Sequence, residues 1–278
     1  MRAHVRDGDP GGEAFLVVGR PDPRLRALVR RYVDFAERAP GPRTRLEVPS
    51  GELVAIVDLG DGWTVGQGRT PPTRLRSFAG GLHDGPARTG HGGRARCVQL
   101  DLTPLGARAL LGVPPGELAH RCVPLDALLG AQARRLVEAL DAAGSWEARF
   151  DHLDRLLLAR AADAEGWLRP DVAWAWRRLV ETGGTVRVDA LARELGCSRR
   201  HLAARFGEQV GLAPKAFARV LRFRRAAELL DRGARPAEAA ALAGYADQPH
   251  LTREFRALSG RTPAAHAAAA LETAGLAA

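Results

Sequence analysis

The sequence predicts an α+β chain in two parts: a β-rich amino-terminal domain closed by helices, and an all-α carboxy-terminal domain. Three observations predict it. Between residues 29 and 102 short apolar runs are broken by Gly, Pro and Asp, the texture of a small barrel or sandwich. Beyond Thr103 apolar residues recur at helical spacing. Finally, HLAARFGEQVGLAP (residues 201–214) and HLTREFRALSGRTP (residues 250–263) both follow H-L-x3-F-x4-G-x2-P, 49 positions apart.

The elements follow in order. Residues 1–12 are polar and rich in Gly and Pro and are expected to be loose. Strand-type runs are VRRYVDF, TRLEVPS, LVAIVDLG, WTVG, SFAGGL and ARCVQLDL. The last alternates: Cys97, Gln99 and Asp101 fall on one face, Val98, Leu100 and Leu102 on the other. TPLGARALLG opens the helical part, with Thr103 as N-cap and Pro104 at the first helical position. Helices are predicted over 125–143 and 146–162. EGWLRP (165–170) reads as the linker, which places domains at 13–165 and 170–268. Further helices are predicted over 171–182, 189–195, 198–209, 214–231, 237–243 and 247–259, with a last one from residue 263. The Ala-rich tail is expected to fray.

A chain of 278 residues that is 46% hydrophobic can bury two cores. Its net charge is +9, with a single Lys among 41 basic residues. Residues 185–268 hold 15 basic against 8 acidic side chains. An excess concentrated in one segment is the footprint of a polyanionic partner. Three widely spaced cysteines make neither a CxxC pair nor a disulfide framework. With no apolar run of about 18 residues and no signal-type start, the expectation is a soluble, cytoplasmic protein.

The repeated stretch has a mechanical reading. Leu191, Ala192 and Leu195 form an apolar stripe on a short helix capped by Asp189; Gly196 turns the chain; Ser198 caps a second helix whose Leu202 and Phe206 face inward. The spacing A-x3-G-x5-L is that of a helix-turn-helix, which needs a small residue where two helices touch and an apolar anchor beyond the turn. In the second copy Ala240, Gly244, Asp247, Leu251 and Phe255 take these places, with one more residue between Gly and Leu. PKAFARVLRFRRAAELL between them suits one long connecting helix. Two such units on one face could enter successive major grooves, roughly 34 Å apart.

The outward residues are then the readers. In the first unit these are Arg199, Arg200, Ala203 and Ala204, with Ser198 at the cap; in the second they are Gln248, His250, Thr252 and Arg253. Arg matches the guanine edge, Gln the adenine edge, and Ala or Thr methyls the thymine methyl. Arg205, Lys215 and Arg256 are better placed to hold phosphates.

Over about residues 172–268 the chain resembles the AraC family of bacterial transcription regulators. LARELGCSRRHLAARF, LRFRRAAELL and AGYADQPHLTREFRALSGRTPAAH carry the resemblance. It implies two helix-turn-helix units joined by a linker helix and acting as a sequence-specific regulator on promoter DNA. In the family, outward positions of both reading helices contact bases, here Arg200, Ala203, Ala204, Gln248, His250, Thr252 and Arg253. The Ala203–Ala204 pair departs from the longer polar side chains often found there. The resemblance further implies a cupin-like sensing domain in front.

Beyond double-stranded promoter DNA, the partners expected are RNA polymerase, a small-molecule effector and a second copy of the chain. No cofactor, metal or membrane is expected. His83 and His91 read as loop histidines, and Glu47 and Asp58 as candidates for a barrel interior. Cys197 reads as a turn residue, with a redox-sensing thiol as the sharper reading. The competing function class is an enzyme, either a repair alkyltransferase or a cupin-like catalyst with a DNA-binding tail. Alkyl transfer needs an activated cysteine, and no Cys here sits in such a setting.

Overall fold

The computed structural model describes residues 4–7, 13–67, 71–161 and 166–275. Strands β1 (His4–Asp7), β2 (Glu13–Gly19), β3 (Val29–Arg38), β4 (Arg43–Glu47), β5 (Leu53–Asp58) and β6 (Trp63–Gln67) come first. They are followed by β7 (Thr73–Leu75), β8 (Phe78–Gly80), β9 (Ala87–His91) and β10 (Arg94–Leu102). A further short strand, β11 (Cys122–Pro124), follows helices α1 (Pro104–Leu111) and α2 (Pro115–Leu118). Among the described residues the strands form two antiparallel sheets, one ordered β1-β2-β3-β10-β5-β8-β11 and the other β4-β9-β6-β7.

The alternation in β10 assigns the two faces of the larger sheet. Val98, Leu100 and Leu102 are buried in the main core with Tyr32 and Phe150, whereas Cys97 belongs to a smaller cluster with Trp63 and Phe78. Cys97, Gln99 and Asp101 also line a cavity between the sheets. Helices cover the other face: α3 (Leu125–Leu129), α4 (Ala131–Ala142) and α5 (Trp146–Ala161). Here Arg149 of α5 donates to buried Asp34 of β3 at 2.5 Å and to the Leu140 carbonyl at 2.9 Å. A buried guanidinium is tolerable when its carboxylate and hydrogen-bond partners are all supplied.

The helical part runs α6 (Pro170–Glu181), α7 (Val188–Glu194), α8 (Arg199–Val210), α9 (Pro214–Asp231), α10 (Pro236–Leu242), α11 (Gln248–Ser259) and α12 (Pro263–Gly275). Thr103 caps α1 by accepting from the Gly106 amide at 3.1 Å, with Pro104 at the first helical position.

Several expectations need correction. Residues 4–7 of the stretch expected to be loose pair with β2, Val5 opposite Val17; the other residues up to 12 lie outside those described. The helix expected over 125–143 is two helices, broken at Gly130, whose φ of 55° and ψ of −132° lie far from helical values. Arg187, not Asp189, is the N-cap of α7, and Asp189 lies in its first turn. α12 extends through most of the tail.

Glu165 of the expected linker falls outside the described residues, and the rest is held in place. Gln209 of α8 donates to the Trp167 carbonyl at 3.0 Å and accepts from the Arg169 amide at 3.0 Å. Arg108 stacks over the Trp167 ring at 5.6 Å. One hydrophobic core runs without a break from Val17 through Phe150 to Leu258.

Candidate nucleic-acid interface

Each unit is a short helix, a turn and a capped second helix. Gly196 and Gly244 occupy the left-handed region with φ of 61° and 78°, where a side chain is strained. Ser198 then accepts from the His201 amide at 3.2 Å, and Asp247 from the His250 amide at 2.6 Å. The two residues at the same position of the repeat thus donate the same capping bond. Four residues separate α7 from α8 and five separate α10 from α11, which matches the longer second spacing in the sequence.

Behind the caps the anchors are buried: Leu202 and Phe206 in α8, Leu251 and Phe255 in α11. Both phenylalanines pack on the connecting helix. Phe206 meets Phe217 at 5.8 Å between ring centroids, and Phe255 meets Phe223 at 4.7 Å. α9 is therefore a common spine, with Phe217 serving one reader and Phe223 the other. Gly211 and Gly260 end α8 and α11 in left-handed conformations, and Pro214 and Pro263 start the next helices.

Outward from this core lie the sequence-predicted readers. Ser198, Arg199, Arg200 and Ala204 are exposed and Ala203 half-exposed; on α11 Gln248 and Arg253 are exposed and Thr252 half-exposed. Arg199 pairs loosely with Asp189 at 3.1 Å. Thr252 Oγ1 donates to the Gln248 carbonyl, so its methyl is the group left to make contacts. His250 turns back: its Nδ1 accepts from the Ala246 amide at 3.4 Å and its ring packs edge-on against Tyr245 at 5.3 Å. His201 is exposed. Of the phosphate candidates, Lys215 and Arg256 are exposed, whereas Arg205 is committed to Asp171 of α6 at 2.9 Å. Burial alone would raise the Asp171 carboxyl; hydrogen bonds from Arg205 and the Val172 amide, with the Arg169 and Arg205 charges, hold it below its ordinary value.

Sequence reasoning missed the polar contacts between this surface and the front domain. Arg224 of α9 donates to the Ser50 carbonyl at 3.2 Å and to Glu52 at 2.9 Å. Burial pushes the Glu52 carboxyl up, against the pull of Arg224. Arg219, one turn earlier, pairs with Glu254 of α11 at 2.6 Å and with Asp84 of the front domain at 3.6 Å. A Cβ built on Gly116 of α2 would lie 2.6 Å from the Glu208 carbonyl, so α2 rests directly on the backbone of α8. Partners this far apart in sequence leave no local signal.

Behind these contacts lies the intersheet cavity, of about 610 Å³. Glu52 and His83, the neighbour of Asp84, both line it. Glu47 lines it too, whereas Asp58 is buried and paired with Arg76 at 3.4 Å. His91, expected in a loop, is the buried last residue of β9 and bonds to Glu37 at 2.9 Å. Among the described residues no group of three or more His, Cys, Asp or Glu is placed to hold a metal ion. Burial pushes the Cys122 thiol up to about 11 and Cys97 higher still, away from thiolate character. Among the described residues no helix is long and apolar enough to cross a membrane.

Two capped helix-turn-helix units on one spine, with basic outward faces, define a DNA-binding domain. Residues 191–269 match the family described as "Helix-turn-helix domain". The uncharacterized HTH-type transcriptional regulator YbfI of Bacillus subtilis (strain 168) is 36% identical over 66 residues. That match covers 24% of each chain, so the chain spans about a quarter of that curated relative's length. ToxT from Vibrio cholerae superposes over 82% of this chain and 98% of its own, at 10% identity and a TM-score of 0.47. The C-terminal domain of AraT from Geobacillus stearothermophilus superposes over 37% of this chain and 87% of its own, at 22% identity and a TM-score of 0.35.

Proposed function

We propose that the protein is a sequence-specific transcription regulator that reads promoter DNA with α8 and α11 in successive major grooves, under the control of a small molecule held between the sheets. The observation that carries the first part is the matched pair of capped, outward-facing helices on the shared spine α9. Arg200 and Arg253 donate to base edges. Lys215 and Arg256 hold phosphates. The Ala203–Ala204 face meets methyl groups or follows groove shape.

Two contacts support the second part. Glu52 lines the cavity and holds Arg224 of the spine. Asp84, beside cavity-lining His83, holds Arg219, which in turn holds Glu254 on the second reader. A ligand that displaces either side chain changes what α9 and α11 are tied to.

Selection of the full-length protein against a randomised DNA library tests the reading. The expected product is a bipartite site whose two elements are about one helical turn apart. Binding that ignores sequence and vanishes steeply with salt would overturn it, because that is bare phosphate contact.

A further inference from the structure

The geometry points to a chemical class for the occupant of the intersheet cavity: an apolar, ring-bearing molecule with a positively charged amine, received by Glu47. This rests on the reading of the front domain as a sensing domain and adds what is sensed. The cavity, about 610 Å³, is the size of a small-molecule site. Its walls are largely apolar and include Trp63 and Phe78, rings whose faces attract cations, and Phe35, over which Arg45 already lies.

The charges on the lining decide the sign. Its two arginines are already engaged: Arg31 bonds Asp101 at 2.5 Å, and Arg45 bonds Glu37 at 2.7 Å while lying over the Phe35 ring at 5.1 Å. The Asp101 and Glu37 side chains are only 5% and 3% exposed. An anionic ligand taking either arginine would leave a buried carboxylate without its guanidinium, Glu37 keeping only His91 at 2.9 Å and Asp101 only the Gln99 amide at 2.6 Å, the costly way to break an ion pair.

The lining carboxylates differ. Asp101 is answered by Arg31, and Glu52 by Arg224. Glu47 accepts only a hydrogen bond from Thr89 Oγ1 at 2.7 Å, with no ion pair among the described residues, and it is exposed. His83 adds no balancing charge at neutral pH, since burial lowers its pKa. The lining with its partners therefore carries one uncompensated negative charge, at Glu47.

The test is calorimetric titration of the full-length protein at neutral pH with 4-phenylbutylammonium, 4-phenylbutanol and 4-phenylbutanoate, which share a body and differ in head group. The ammonium is expected to bind about tenfold or more tighter than either companion, the scale of one partly shielded charge pair. Glu47→Gln should remove that preference, and Glu47→Lys should move it to the carboxylate. Equal or tighter binding of the alcohol or carboxylate by the unaltered protein, or an ammonium preference that survives Glu47→Gln, overturns the assignment. So does the failure of all three to bind at millimolar concentration. DNA selection on the same preparations reads the regulator assignment separately, so one can fail without the other.

Discussion

Arg253 stands exposed on α11, one turn beyond the capped start of that helix, with no ion pair to its guanidinium among the described residues. Arg253→Ala should cost about 1–3 kcal/mol of specific binding and relax preference at one half of the site, as loss of a bidentate base contact does. A binding profile unchanged across a randomised library would remove Arg253 from the base-reading set. Arg205 has a different task, because Asp171 already holds it. The Asp171 carboxyl is held below its ordinary value. Its contribution to stability is thus present at pH above that ordinary value and is lost as pH falls through the lowered one. Arg205→Gln should shrink this acid-side loss in thermal unfolding while leaving sequence preference intact. A variant that melts with the same pH profile as the parent would show that the pair contributes nothing.

At the scale of elements, each reading helix depends on two buried side chains, and Leu202 is 2% exposed. Leu202→Asp should unfold the first unit, because a lone carboxylate has no partner there; retained circular dichroism and affinity would mean that α8 lies in another phase. The coupling contacts can be tried in the same way. Arg224→Ala and Glu52→Ala should shift DNA affinity in the same direction, and the double variant should do no more than Arg224→Ala alone, which already removes the shared bond together with the one to the Ser50 carbonyl. Additive effects would show that the pair does not couple cavity to spine. These helices were legible in the sequence because cap, turn glycine, anchors and stop all fall within a few turns of one another. Strand β9 was not. Its residues Ala87, Arg88, Thr89, Gly90 and His91 show no apolar alternation, and only pairing with β4 and β6 on either side makes them a strand. The break at Gly130 leaves no mark in the sequence, because the apolar spacing continues across it while its backbone angles leave the helix. The candidate readers could be named from the motif. The bonds from Arg219 and Arg224 to the front domain could not, because no spacing rule links Glu52 to a residue 172 positions away.

For the whole molecule, the undivided core matters more than the linker. Leu179, Leu202 and Phe217 belong to the same buried cluster as Leu100 and Leu153. Urea unfolding should therefore give one transition, coincident by tryptophan fluorescence and circular dichroism. Two separated transitions would mean that the halves fold independently and meet only weakly. The contact at Gly116 has a further consequence. α8 is seated backbone to backbone on α2, whereas α11 is tied to the front domain through the Arg219 bridge. The protein is a caliper with one jaw fixed to the frame and the other on a light catch. On the function proposed above, what a signal would adjust is the gap between the jaws, and promoters would be told apart by the interval between their two marks as much as by the marks themselves.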